Sequence, residues 1–597
     1  MDTERRFPSY PEGRKARRLG PSEESARALE GASSRPGIMN EPAQERIEKR
    51  MEMQSRRSFL KTGAVGVGAW LAHSHLAPLF ARTPDQLVFR PYPPQGMPDL
   101  NFAYASDVNV DPFKAAITVG RDGIVVPDSV GQRFAVNTRW YVPGFGFVWL
   151  AADNGGKFYG VENGDGKLNL NLEFARSRVA RNREVRARYE KEGTRFSAEI
   201  VHLTALSEEL LADAEKKRGD GEKCAALADR SLSHALWAGE KIELEKARAD
   251  IEQKPRKDTV YFGCESRQMI WAKSEEFQKR FPELFNFATM THYVWDSWYE
   301  LFEPTEGRYN WGIKDDILNW LEEQGIMPQG RPLFWFHPTV TPDWLKQKKF
   351  DELKKYVVKH TRDLVSHYGD RVLQWEVVNE YHDWGNIHNH TPEQITEITR
   401  LACDTTKQVN PRVVRILNNC CPWGEYVARG RMAGMDATRP LRTPRKYLQD
   451  LTEAGVEYDV VGIQIYFPQR DLSDIARLIE RLSVFGKPIY ITEIGASSNL
   501  VAPNPSGAQN ASGDEPYAWH RHWDEELQAD WLEQVYTIWY SKPNIKAINW
   551  YDFSDFRPFI VNGGLVREDC TPKKSFLRAK ELLASWNRLP KGRGNKP

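Results

Sequence analysis

Two glutamates stand where apolar runs end. Glu380 closes VLQWEVVNE, and Glu493 lies near the end of PIYITEIG. Two carboxyl groups facing one another can split a glycosidic bond. One protonates the departing oxygen while the other attacks the anomeric carbon, and enzymes that retain configuration hold the two about 5–5.5 Å apart. A lone glutamate at a strand end is more simply a structural ion pair; two at the ends of separate strands call for a scaffold that brings them together.

The scaffold is legible from residue 259 onward. Eight apolar runs alternate with eight amphipathic ones: TVYFGC, LFNFATM, MPQGRPLFWF, VLQWEVVNE, RVVRILNN, DVVGIQIYF, PIYITEIG and IKAINWYDF, each followed by a helix-like stretch. Continuous apolar strands suit a parallel sheet buried on both faces. Stripes such as Leu472, Ile475, Leu478, Ile479 and Leu482 have helical period. Eight strand–helix pairs fit an α/β fold, a closed (β/α)₈ barrel over 259–590, with its site at the C-terminal ends of the strands. An open doubly wound sheet would need a glycine-rich phosphate loop after an early strand, and none is present. Glu380 then closes the fourth strand and Glu493 the seventh, across the barrel mouth from one another.

Two zones precede the barrel. Residues 86–190 read as a small β-sandwich-like domain of short strands, including AAITVG, RFAVNTRWYV, GFGFVWLAA and LNLNLEFA. Residues 191–258 are rich in Glu, Lys, Arg, Ala and Leu and read as a helical hairpin broken near Arg218–Gly221. No flexible linker joins the zones, so the β-rich part is expected to pack on the barrel rather than to act as a tethered sugar-binding module.

The motifs WEVVNE and ITEIG, together with EPTEGRYNW (303–311), GRPLFWFHPTVTPDWL (330–345) and VGIQIYF, resemble glycoside hydrolase family ten, the retaining xylanase-like barrel glycosidases. The resemblance covers roughly 259–586. It implies Glu380 as acid/base, Glu493 as nucleophile, and Asn379 on the sugar 2-hydroxyl. It further implies sugar contacts from Gln464, Trp335 and Trp550, and an endo-1,4-β-xylanase-like reaction on a plant-type polysaccharide without cofactor or metal. The chain departs from the family pattern at the sugar grip. Trp295 and Trp298 stand where the family has Asn and Lys, Arg331 replaces the third-strand His with His337 nearby, and Tyr466 replaces the His that follows the Gln. Another polysaccharide, or a barrel that binds sugar without cleaving it, is therefore an alternative. The intact glutamate pair argues against the second.

The bulk composition excludes other classes. With 83 basic and 82 acidic residues the net charge is +1, which offers no field for nucleic acid or anionic lipid. Six cysteines without a ligand-like spacing argue against a structural zinc or a disulfide scaffold. The long polar stretch 496–523 follows the nucleophile strand, and its end, with Trp519, His520, His522 and Trp523, is expected at a substrate rim.

Residues 55–61, Ser-Arg-Arg-Ser-Phe-Leu-Lys, precede a weakly apolar run from Thr62 to Ala72. This resembles a twin-arginine export signal, which implies passage through the twin-arginine translocon to the periplasm or exterior. The run is too short for a membrane span. Residues 1–50 are polar and Arg-rich and read as disordered or as an extension ahead of a start at Met51 or Met53.

Overall fold

The computed structural model describes residues 86–127, 130–160, 166–270, 274–295, 301–432, 435–466, 469–499 and 519–590. The export segment at 51–85 lies outside them.

The N-terminal part holds β1 (Gln86–Arg90), β2 (Ala103–Ser106), β3 (Pro112–Phe113), β4 (Thr118–Gly120), β5 (Gly123–Pro127), β6 (Ala135–Val142), β7 (Gly146–Ala152) and β8 (Lys167–Asn169). They form two four-stranded sheets, ordered β4-β5-β1-β8 and β3-β2-β6-β7. Three helices follow: α1 (Leu170–Lys191), α2 (Ala198–Lys216) and α3 (Gly221–Gln253). Sheets and helices share one core, in which Phe89, Val136, Trp140, Val148, Phe174, Leu232 and Leu236 are buried.

The expected strand LNLNLEFA is corrected here. Only Lys167–Asn169 is strand, and α1 begins at Leu170, so three helices stand where two were read. The Asn169 side chain accepts from the Leu172 N–H at 3.2 Å and caps the helix. Leu170 through Ala175 are all buried, polar Asn171 and Glu173 included. A helix start enclosed on every side shows no polar face, so the alternation of leucines imitated a strand.

The second part is a closed barrel of β9 (Tyr261–Glu265), β10 (Phe287–Thr291), β11 (Met327–Arg331), β12 (Gln374–Asn379), β13 (Val414–Asn419), β16 (Val460–Tyr466), β17 (Ile489–Gly495) and β18 (Ile545–Trp550), all parallel. A two-stranded ribbon, β14 (Arg431–Met432) with β15 (Met435–Asp436), lies in the connection after β13. Each of the eight apolar runs read from the sequence supplies one barrel strand. Some of the interstrand helices start where short polar side chains satisfy the first amides. Thr391 and Gln394 form a capping box, and Asp471 accepts from Ser473 N–H at 3.1 Å and Asp474 N–H at 3.3 Å. Gly330 on β11 is required by packing: a Cβ there would meet the Trp375 ring at 2.4 Å.

Candidate active site

The C-terminal ends of β11, β12, β13, β16 and β17 converge on one polar cluster in an otherwise apolar barrel. Glu380 directly follows β12. Its φ of +55° places a non-glycine residue in the left-handed region, which ends the strand abruptly. Both of its backbone groups are pinned: the N–H donates to Asn418 O at 2.8 Å, and the carbonyl accepts from Gly385 N–H at 2.7 Å. The carboxyl is held from two sides. Trp335 Nε1 donates to Oε2 at 2.8 Å, and Gln464 Nε2 donates to Oε1 at 2.9 Å. Gln464 Nε2 also reaches Asn379 Oδ1 at 3.2 Å. Burial, reinforced by the nearby Glu493 charge, pushes Glu380 up to about 8.

Glu493 lies on β17, in register with Gln464 on β16. Its Oε1 accepts from Arg331 Nη2 at 2.6 Å and from Asn418 Nδ2 at 3.0 Å, while Oε2 accepts from the Tyr466 hydroxyl at 2.5 Å. Thr492 Oγ1 donates to Asn418 Oδ1 at 2.5 Å, which fixes the way the amide faces. Three donors, one of them a guanidinium, thus converge on this one carboxyl group. The two glutamates occupy different environments: a buried pocket with two uncharged donors around one, a pocket with three donors and a guanidinium charge around the other. Such a divergence separates an acid from a nucleophile.

Arg331 is the centre of a wider ion cluster. It is 1% exposed, and its guanidinium also lies 3.7 Å from Glu376 and 3.8 Å from Glu265. Burial opposes its charge, but Glu493 and its other anionic neighbours outweigh burial and hold its pKa well above the usual value. Burial pushes Glu376 up to about 8, with Arg331 opposing and Glu493 adding to the rise. Glu265 Oε2 is further held by the hydroxyls of Thr289 at 3.0 Å and Thr291 at 2.7 Å. One cation among three buried carboxyls is tolerable only with such support, since an unpaired buried charge costs several kcal/mol.

The expected site residues divide. Asn379, Gln464, Tyr466 and Trp335 gather around the two glutamates. Tyr293 lies against Trp335, with ring centroids 5.0 Å apart. His337 is set behind Trp335, stacked at 4.8 Å, and burial lowers its pKa to about 4, so it is a neutral support. Trp295 is 41% exposed, and its N–H donates to Val340 O at 3.1 Å, joining the segments after β10 and β11. Trp298 lies outside the described residues.

Two expectations are corrected. Arg331 was read as a sugar contact, but it is enclosed beneath Glu493 and engaged by carboxylates. Trp550 was read as a platform under a sugar, but it is 0% exposed, donates Nε1–H to Gly563 O at 2.9 Å and packs edge-on against Trp531. Strand alternation turns Trp550 outward to the helix layer and the next residue inward. Tyr551 is that inward residue, with its ring 5.3 Å from the Arg331 guanidinium and edge-on to Tyr466 at 5.7 Å. The rim expected from Trp519 and His520 is also absent: Trp519 is fully buried, and both residues bond to Glu240 of α3.

Sequence reasoning passed over Glu265, Glu376, Asn418 and Tyr551. The first three carried a signal, namely polar residues inside apolar parallel strands. Among the described residues, no group of three or more His, Cys, Asp or Glu is placed to hold a metal ion, and no helix is long and apolar enough to cross a membrane.

Comparison with known proteins adds a match to the Glycosyl hydrolase family 10 model over residues 251–576, more than half of the 597-residue chain. An Arabidopsis thaliana protein named endo-1,4-beta-xylanase 5-like is 22% identical over 492 residues, 74% of this chain and 78% of that protein. Endo-1,4-beta-xylanase 1 of Arabidopsis thaliana is 25% identical over 238 residues, 39% of this chain and 23% of the relative. Endo-1,4-beta-xylanase B of Thermotoga neapolitana is 22% identical over 345 residues, 54% of this chain and 88% of the relative. Among solved structures, xylanase 10B from Thermotoga petrophila RKU-1 in complex with xylobiose has 22% identity and a TM-score of 0.42, covering 57% of this chain and 97% of that one. A closed eight-stranded barrel, two glutamates at the ends of its fourth and seventh strands and a family match spanning that barrel lead to one conclusion: the chain belongs to glycosyl hydrolase family 10.

Proposed function

We propose that the protein hydrolyses β-1,4-glycosidic bonds of a plant-type polysaccharide, xylan foremost, with retention of configuration through a glycosyl-enzyme intermediate. Glu493 is the nucleophile and Glu380 the acid/base. The observation that carries this reading is the opposed setting of the two carboxyls. Arg331, Asn418 and Tyr466 all donate to Glu493, while Glu380 is buried beside Trp335 and pushed up to about 8. The sugar in the reacting position meets Asn379 and Gln464. Trp335, backed by His337, offers an aromatic face, and Trp295 and Trp298 stand in the sequence where the family uses polar side chains. The names of the relatives support xylan.

A substrate screen tests this reading. The full chain is assayed on xylan, mixed-linkage glucan, mannan and aryl-glycosides, with products resolved by size and anomeric form. Xylo-oligosaccharides released initially as β-anomers are expected. Glu380 must be protonated to donate, so hydrolysis of unactivated substrates is expected to fall as pH rises through about 8. Release of α-anomers, or cleavage of mannan alone, would overturn the corresponding part.

Export through the twin-arginine translocon to the periplasm or exterior is part of the same proposal, since its substrate lies outside the cell. Arg56→Lys with Arg57→Lys is expected to leave the protein in the cytoplasm. Unchanged export, measured by fractionation, refutes the assignment.

A further inference from the structure

The loop between β16 and the helix Leu472–Ser483 is bonded at four successive residues by side chains that precede the barrel. At Gln469, the backbone carbonyl accepts from Trp149 N–H at 2.8 Å and the side-chain Oε1 from Trp149 Nε1 at 2.9 Å. Arg470 Nη2 donates to the Tyr104 hydroxyl at 3.0 Å. Asp471, which caps the helix, takes both arms of Arg178, at 2.9 and 2.5 Å, with both side chains buried. Leu472 N–H donates to Glu240 Oε1 at 3.0 Å. Glu240 also accepts from Trp519 Nε1 at 3.0 Å and bonds His520 Nε2 at 2.8 Å, where the connection after β17 rejoins the described structure.

These contacts are not the pattern of two bodies merely sharing an apolar seam. They are directional, partly ionic and buried, and such pairs contribute more to fixing geometry than to net stability. They fall on the continuations of two strands, β16 and β17. The first carries Gln464 and Tyr466, and the second carries Glu493. Trp149, Arg178 and Glu240 touch none of the reacting side chains. On the roles proposed above, we infer that the N-terminal unit is a positioning element of the active site: Trp149, Arg178 and Glu240 hold the segment after β16 and thereby set where Tyr466 stands against Glu493.

A Tyr466 hydroxyl that drifts from Glu493 withdraws a donor from the carboxyl group. The other groups facing Glu493 are Arg331 on β11, Glu376 and Glu380 at β12, Cys420 after β13, and Tyr293 and Tyr551 beyond β10 and β18. None of them belongs to the gripped loop. A change at the Glu493 carboxyl on loosening the grip therefore reports Tyr466.

The test uses the full chain labelled with ¹³C at the glutamate carboxyls, with the Glu493 signal identified by Glu493→Gln. Trp149→Phe deletes one donor and keeps the ring. Arg178→Lys keeps the charge and deletes the fork. Each is expected to move the Glu493 carboxyl signal, read at one fixed pH, in the direction in which Tyr466→Phe moves it. Each is also expected to lower kcat about 3- to 10-fold with KM little changed. Tyr466→Phe should give a larger shift in the same direction, and adding Trp149→Phe to it should give no further one. If the single variants melt at lower temperature but leave the Glu493 carboxyl signal and kcat unchanged, or if the signal changes add in the double variant, the inference is wrong. The outcome is separable from the proposed reaction, because the carboxyl signal is read without substrate. A chain that cleaves no polysaccharide but shows the coupled shift loses only the proposed function.

Discussion

Glu493→Ala is expected to lower turnover on every substrate by about 10⁴-fold or more. The carboxylate sits where three donors from three different strands converge, with Arg331 Nη2 at 2.6 Å, Asn418 Nδ2 at 3.0 Å and the Tyr466 hydroxyl at 2.5 Å. Neither Glu376 nor Glu380, the carboxyls beside it, has that support. Glu376, on β12, is fully enclosed, and burial raises its pKa. The alanine leaves space on the face of the sugar from which Glu493 attacks. Added azide is therefore expected to restore turnover of an aryl-glycoside and to give the α-azide. Product configuration is read by NMR. A β-azide, or full activity without azide, would show that Glu493 is not the nucleophile.

Glu380→Ala is expected to act selectively. Natural polysaccharides have poor leaving groups and need protonation as the bond breaks, so their hydrolysis should fall about 10²- to 10⁴-fold. A dinitrophenyl glycoside, which leaves without a proton, should still load the enzyme and then stall, because no base activates the water. Azide needs no base and should restart turnover with the β-azide as product. The two variants together thus predict opposite configurations from the same nucleophile. Identical products, or an equal loss on good and poor leaving groups, would exchange or dissolve the assigned roles. A companion titration follows from the electrostatics. Burial is the larger cause of the raised Glu380 pKa, and the Glu493 charge is the second. In Glu493→Gln the basic limb of any residual activity should move to lower pH without returning to an ordinary carboxylate value.

Much of this molecule is written locally. Eight apolar runs, each followed by a helical stripe, specify a parallel barrel, because strands buried on both faces and crossover helices leave few other arrangements. Glu380 and Glu493 were legible for the same reason: a carboxyl at the C-terminal end of such a strand lies at the level of the mouth, where barrel sites are built. The tertiary structure decided what surrounds them. That Arg331 serves a carboxylate rather than a sugar follows from its end-of-strand position beside Glu265 and Glu376, which meet it from strands remote in sequence. That Tyr551 faces the site and Trp550 does not depends on where β18 ends within the barrel, and a slip of one residue exchanges the two faces. The helix at Leu170 was hidden because burial on all sides removes the polar stripe that marks a helical period. The grip of Trp149, Arg178 and Glu240 on the segment after β16 joins residues some 230 to 320 positions apart. Sequence periodicity reports which face of an element is buried; it carries no record of which distant element covers it.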